Sequence, residues 1–217
     1  MTILITNPNY DEATGYLFYY THKLVEFAEN SGLEVIYLKK PRLTKAEVDS
    51  CIKKKNPSLI LFNGHGDEEV IYGDKIDGVE EPIVKKGENH EILADRLVYA
   101  RACSAGASLE RVCTGGRGCF IGYITPFKFW TDRNWSGNPA KDKLAELFLE
   151  PSNLLAQALL KGNTAKEADS RFREASKKNI LRLLMRKEPG DMASIMILWD
   201  NLNGQVILGN CELRHGY

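Results

Sequence analysis

Apolar and polar positions along the chain follow two periods. Short apolar runs at Ile3 to Ile5, Leu33 to Leu38, Leu59 to Phe62, Leu97 to Ala100 and Phe120 to Ile124 lie close to Gly, Pro, Asn or Ser and read as strands. Between them the spacing becomes helical. Leu17, Tyr20, Leu24 and Phe27 predict a helix over Tyr16 to Asn30, with Gly32 as its stop. Thr44-Lys45-Ala46-Glu47 has the form of a capping box and opens a helix through Lys55. Further on, Leu144, Leu147 and Phe148 continue past Pro151 to Leu159, and Thr164 with Glu167 caps a helix through Lys187. The basic face of that last helix, Arg171, Lys178, Arg182 and Arg186, reads as solvated. The segment from Asp67 to Asn89, with Gly73, Asp77-Gly78, Pro82 and Gly87, reads as short hairpin turns, either a clamp at the rim of a site or a solvated surface feature. A β-α-β-α-β start built on strands that are apolar throughout predicts an α/β fold with a mostly parallel central sheet.

Two of the predicted strands end at residues capable of thiol chemistry. Leu59-Ile60-Leu61-Phe62-Asn63-Gly64 delivers His65, and Leu97-Val98-Tyr99-Ala100-Arg101-Ala102 delivers Cys103. In open α/β sheets the functional crevice lies at the carboxyl ends of the strands, so both side chains belong at one edge. A free thiol is mostly protonated near neutral pH and needs a base beside it to act as a nucleophile. An imidazole can take that proton and return it to a leaving amine. Gly64 and Gly66 flank His65 and let a substrate approach the main chain. Ser104 to Leu109 reads as the start of a helix whose N-terminus favours a thiolate, and the N–H groups of Gly66 and Cys103 are candidates for an oxyanion hole. Asp67, Glu68 or Glu69 could orient the imidazole. The bland alternative for Cys103 is a small buried hydrophobe at a strand end.

Composition narrows the setting. At 217 residues the chain suits one domain, 1–217, with a substantial core. Lys plus Arg and Asp plus Glu both number 29, so no net field recruits nucleic acid or an anionic membrane. The opening Met1-Thr2-Ile3-Leu4-Ile5 reads as a strand rather than a secretion signal, and no apolar stretch approaches a membrane span. Five cysteines, at positions 51, 103, 113, 119 and 211, form neither an even disulfide set nor a Cys-x-x-Cys zinc pattern. The expectation is a cytoplasmic protein without a metal or organic cofactor.

The strand ending His65-Gly66 and the strand ending Ala102-Cys103 resemble the shared motif of the caspase-like cysteine peptidases of clan CD: caspases, metacaspases, legumain, gingipains, separase and CHAT domains. The spacing is shorter than the roughly 50 residues found in caspases, and Arg101-Ala102-Cys103 departs from their Gln-Ala-Cys signature. The chain looks closer to the gingipain-like and CHAT branch. Phe120 to Ile124, Ile197-Leu198-Trp199-Asp200 and Val206 to Asn210 resemble later strands of that domain. The resemblance implies a three-layer α/β/α sandwich and endopeptidase action, with Cys103 as nucleophile and His65 as base.

Further site residues follow from the same resemblance. The residue two before the nucleophile helps form the specificity pocket in several members, which implies an acidic or polar preference set by Arg101. The alternative is an internal ion pair of Arg101, with Asp132 or Asp67 as its partner. The stretch from Thr125 to Asn138 holds Phe127, Phe129, Trp130 and Trp135, and Trp130 and Asp132 are candidates for binding substrate. The expected partner is a protein or peptide substrate, with an activating partner or regulatory complex as a further possibility. A thiol hydrolase of the dienelactone type needs a Gly-x-Cys-x-Gly elbow, which Ala102 and Ala105 break. The non-enzymatic alternative is a catalytically silent caspase-like scaffold or ligand-binding module in a signalling or defence complex.

Overall fold

A computed structural model describes residues 1–109 and 116–216. In chain order its elements are β1 (Thr2–Thr6), α1 (Glu12–Asn30), β2 (Glu34–Leu38), α2 (Lys45–Lys55), β3 (Leu59–Asn63), β4 (Val70–Ile76), β5 (Val79–Lys85), β6 (Leu97–Arg101) and β7 (Cys119–Tyr123). Then come α3 (Lys143–Leu160), α4 (Ala165–Arg186), α5 (Asp191–Gly204) and β8 (Gln205–Gly209). Six strands form one sheet in the order β2-β1-β3-β6-β7-β8, parallel except for the last pair. The α/β reading with a mostly parallel sheet is what the structure has.

Strand alternation divides the core into two layers, because successive side chains point to opposite faces. Ile3, Ile5, Leu59, Leu61, Leu97, Tyr99 and Ile121 pack on one face against α1, α3, α4 and α5. Leu4, Ile60, Phe62, Val98, Ala100 and Phe120 pack on the other against α2 and the β4–β5 hairpin. The hairpin turns at Asp77-Gly78, both at positive φ, which favours Asp and Gly there.

Local chemistry sets the helix limits. Helix α1 begins at Glu12, earlier than periodicity predicts, because Asp11 and Thr14 form a reciprocal capping box. The Thr44 cap holds as expected, while the Glu47 carboxylate pairs with Arg42. Pro151 sits inside α3 and has no N–H for the carbonyl of Leu147, which accepts instead from Asn179 Nδ2 of α4 at 2.8 Å. Ile197 to Asp200 is a correction: these residues belong to helix α5 rather than a strand, with Ser194, Leu198, Asn201 and Leu202 buried at helical spacing. Of the basic face, Arg186 is tied to Glu188 and Asp191. Among the described residues no helix is long and apolar enough to cross a membrane.

Candidate active site

Strands β3 and β6 are neighbours in parallel register, with Asn63 opposite Arg101. Two residues beyond each of these positions lie His65 and Cys103, so the register delivers both to the carboxyl edge of the sheet. The loops are then pressed together. Gly64 N–H donates to the carbonyl of Arg101 at 3.3 Å. Gly64 has φ +132°, and a Cβ there would lie 2.7 Å from Pro8 Cγ. At Gly66 a Cβ would lie 3.0 Å from Ala102 Cβ and 3.2 Å from the carbonyl oxygen of Cys103. Both positions therefore demand glycine for close packing, and Gly64 for its backbone conformation as well. The hairpin holds the His65 loop from the other side, with Tyr72 N–H donating to the carbonyl of His65 at 3.0 Å.

The imidazole has a partner that sequence reading missed. His65 Nε2 lies 2.7 Å from Asp11 Oδ2. A carboxylate only accepts, so Nε2 carries the proton toward Asp11 and Nδ1 keeps the basic lone pair. Burial works to raise the Asp11 carboxyl, but hydrogen bonds from Thr14 and His65 outweigh it and hold the group below its ordinary value. The Tyr10 ring lies 5.8 Å from the imidazole, and its hydroxyl donates to Glu80 of the hairpin at 2.8 Å. The expected orienting residues are engaged elsewhere. Asp67 accepts from Glu69 N–H at 2.9 Å and from the Tyr72 hydroxyl at 3.3 Å, Glu69 pairs with Lys86 at 2.7 Å, and Glu68 is exposed.

The Cys103 thiol donates to the carbonyl of Phe127 at 3.7 Å, in the aromatic loop after β7. Ser104 follows in the left-handed region at φ 55°, with its N–H donating to the carbonyl of Thr125 at 3.3 Å. The expected helix start is corrected here: Ala105–Ala107 is a single 3-10 turn, and any continuation beyond Leu109 falls on residues 110–115, outside the described set, as does Cys113. Burial pushes the thiol above its ordinary value of 9.0, against contacts with the backbone of Phe127 and of Cys103 itself. Alkylation of Cys103 by iodoacetamide should therefore keep accelerating through pH 9, since the thiolate is the reactive form. A rate that levels off by about pH 7 would contradict this environment.

A groove of about 740 Å³ lies one residue away from both side chains, lined by their partners rather than by His65 or Cys103 themselves. Its lining includes Asp11, the partner of His65, and Phe127, the partner of Cys103, together with Trp130. The loop that walls it is anchored at Asp142, which is 1% exposed. Its carboxylate caps α3 through Leu144 and Ala145 N–H, and accepts from the Tyr16 hydroxyl at 2.6 Å and Asp132 N–H at 2.9 Å. Asp142→Ala removes a cap and takes from the Tyr16 hydroxyl its closer acceptor, leaving it the carbonyl of Trp135 at 3.3 Å. It should destabilise by about 2–3 kcal/mol, lowering Tm by roughly 4–12 °C in a calorimetric melt.

The two polar specificity candidates fall elsewhere. Asp132 is a loop-capping residue whose Oδ1 accepts from the backbone and the side-chain amide of Asn134, each at 2.9 Å, and it does not line the groove. Arg101 is 1% exposed. Its guanidinium points into the layer beneath the site and donates to Asn63 Oδ1 at 3.0 Å, Thr21 Oγ1 at 2.8 Å, Ser152 Oγ at 3.0 Å and Asn153 Oδ1 at 2.8 Å. Strand parity is the reason, since position 101 continues the face of Leu97 and Tyr99 that meets α1 and α3. Neither a substrate pocket nor the alternative ion pair with Asp132 or Asp67 describes it. The groove at the site is instead built by Asp11 and the loop after β7. No protein-family model matches the chain, and no curated protein matches it.

Proposed function

We propose that the chain is a cysteine endopeptidase of the caspase-like kind, with Cys103 as nucleophile, His65 as acid-base group and Asp11 as the residue that positions the imidazole. One observation carries the reading: His65 and Cys103 leave adjacent parallel strands at paired positions, with the backbone of Gly66 packed against that of Cys103. In the proposed reaction Sγ bonds to the scissile carbonyl carbon while its proton passes to His65 Nδ1. The oxyanion is met by the N–H groups of Gly66 and Cys103. The C–N bond then breaks, the amine leaves with the proton from Nδ1, and water cleaves the thioester to free the acid and the thiol. Nε2 stays bonded to Asp11 throughout, which keeps Nδ1 as the basic nitrogen.

Among the described residues Cys51, Cys103 and Cys211 are free, and a working thiol needs a reducing compartment, for which the cytoplasm is proposed. A thiol held protonated by burial suits an enzyme whose nucleophile is activated only as substrate, or an activating partner, closes the site. The same raised thiol favours the second reading, a caspase-like scaffold without turnover.

The test is hydrolysis of a fluorogenic peptide library in reducing buffer by the wild type and Cys103→Ala. Turnover by the wild type alone is the expected result. Turnover that persists in Cys103→Ala overturns the mechanism, and a folded wild type that cleaves nothing favours the scaffold.

A further inference from the structure

The groove next to Asp11 and Phe127, the partners of His65 and Cys103, is walled by apolar side chains from two separate elements. Phe129 and Trp130 come from the loop after β7, and Ile197 comes from α5. Trp130 is 49% exposed, an aromatic ring left wet in a concave surface. The charged groups of the same groove are already engaged within the protein. Glu12 accepts from Thr131 Oγ1 at 3.0 Å, Lys128 Nζ lies 3.7 Å from Asp200, and Asp11 is held by His65 at 2.7 Å. A carboxylate entering here would meet Asp11 and Glu12. An ammonium would have to compete with Thr131 or His65 for its partner and leave water to do so. An apolar side chain meets neither obstacle and covers Trp130 and Ile197.

We infer that this groove selects a bulky apolar side chain, aromatic by preference, from the peptide residues on the acyl side of the scissile bond, with Trp130 and Ile197 as its specificity-determining residues. The inference deepens the peptidase reading and rests on it for the position of the bond. It replaces the acidic preference expected from Arg101, which lies beneath the site. Burying one large apolar side chain in such a groove corresponds to a selectivity of about tenfold or more over small or charged residues.

The test uses peptidyl acyloxymethyl ketones that differ only in carrying Phe, Leu, Gly, Asp or Lys at one of the two residues before the ketone. Intact-mass spectrometry reads the second-order rate of adduct formation at Cys103 in the wild type, Trp130→Ala and Ile197→Ala. A second arm mixes blocked peptides with the same side chains with Cys103→Ala protein and follows the Trp130 indole N–H by NMR. Trp130→Ala should melt with the wild type, since that ring is exposed, while Ile197 is half-buried against the core and its variant should keep the fold with a Tm a few degrees lower.

Phe and Leu reagents should label Cys103 about tenfold faster than the Gly, Asp and Lys reagents, with most of that ratio lost in Trp130→Ala. The blocked Phe peptide should shift the Trp130 indole. Labelling of Cys103 that ignores the side chain, or runs fastest with Asp or Lys, overturns the inference and leaves the nucleophile standing. Selective binding of the Phe peptide with no adduct at Cys103 overturns the peptidase reading and supports the groove's choice of ligand. No selectivity in either arm overturns the inference outright.

Discussion

Cys103→Ala and His65→Ala are each expected to lower kcat/KM for peptide hydrolysis by about 10⁴-fold or more, with the double variant little worse than either single one. The near-equality follows from the chemistry. The thiol of Cys103 sits above its ordinary pKa, so without a base it supplies little thiolate at neutral pH. Without the thiol the imidazole has no nucleophile to serve. Asp11→Asn should cost less, about 10- to 100-fold, since Asp11 Oδ2 orients the ring and fixes its tautomer without meeting substrate chemistry. Its signature is a change in the pH-rate profile together with a fall in kcat, whereas a merely structural Asp11, the N-cap of α1, would show in Tm alone. Equal and small effects from all three variants would contradict a site that works as a unit.

Arg101→Met is expected to be the most destabilising single change near the site. Two effects oppose each other. Removing a guanidinium that burial already penalises is favourable, and burial does lower the pKa of Arg101. Against that stand the acceptors left behind. Ser152 and Thr21 carry hydroxyls that can re-aim, but Asn63 Oδ1 and Asn153 Oδ1 lose the guanidinium donors that meet them. Stranded buried acceptors cost about 1–3 kcal/mol each, and lost packing adds to that, so a net loss of about 3–5 kcal/mol is expected. For a chain of this size that lowers Tm by roughly 6–20 °C. Activity should fall as well, since the bond between Arg101 and Asn63 joins the two strands just below Cys103 and His65. Scanning calorimetry separates the possibilities: an Arg101 that lined a substrate pocket would change peptide preference and leave Tm in place.

Much of this arrangement was legible in the chain. Apolar runs bounded by Gly, Pro and Asn marked the strands, and those ending at His65 and Cys103 are neighbours in the sheet. The fate of Arg101 was legible too, had strand parity been followed past Tyr99. Asp11 left a fainter trace, because its capping box uses Thr14 where the familiar pattern has Glu or Gln. That box fixes the start of α1 and so carries a carboxylate to the same edge as the two reactive residues. The run from Ile197 to Asp200 misled because four apolar and polar residues fit either period, and only the wider spacing of Ser194, Leu198 and Asn201 reveals the helix. The contact of Cys103 with Phe127 left no trace, since it is made by a main-chain carbonyl that any residue supplies. Asp142 was equally silent, because one buried carboxylate serving a helix cap, a tyrosine and a loop is a product of the tertiary fold.

The most direct measurement is rapid acid quench of wild-type protein turning over a cleaved library peptide, followed by intact-mass and tandem mass spectrometry. The account predicts a thioester adduct on Cys103 whose mass equals the acyl half of the peptide, absent in Cys103→Ala. Turnover with no adduct at any point in the time course, and with Cys103→Ala as fast as the wild type, would contradict it.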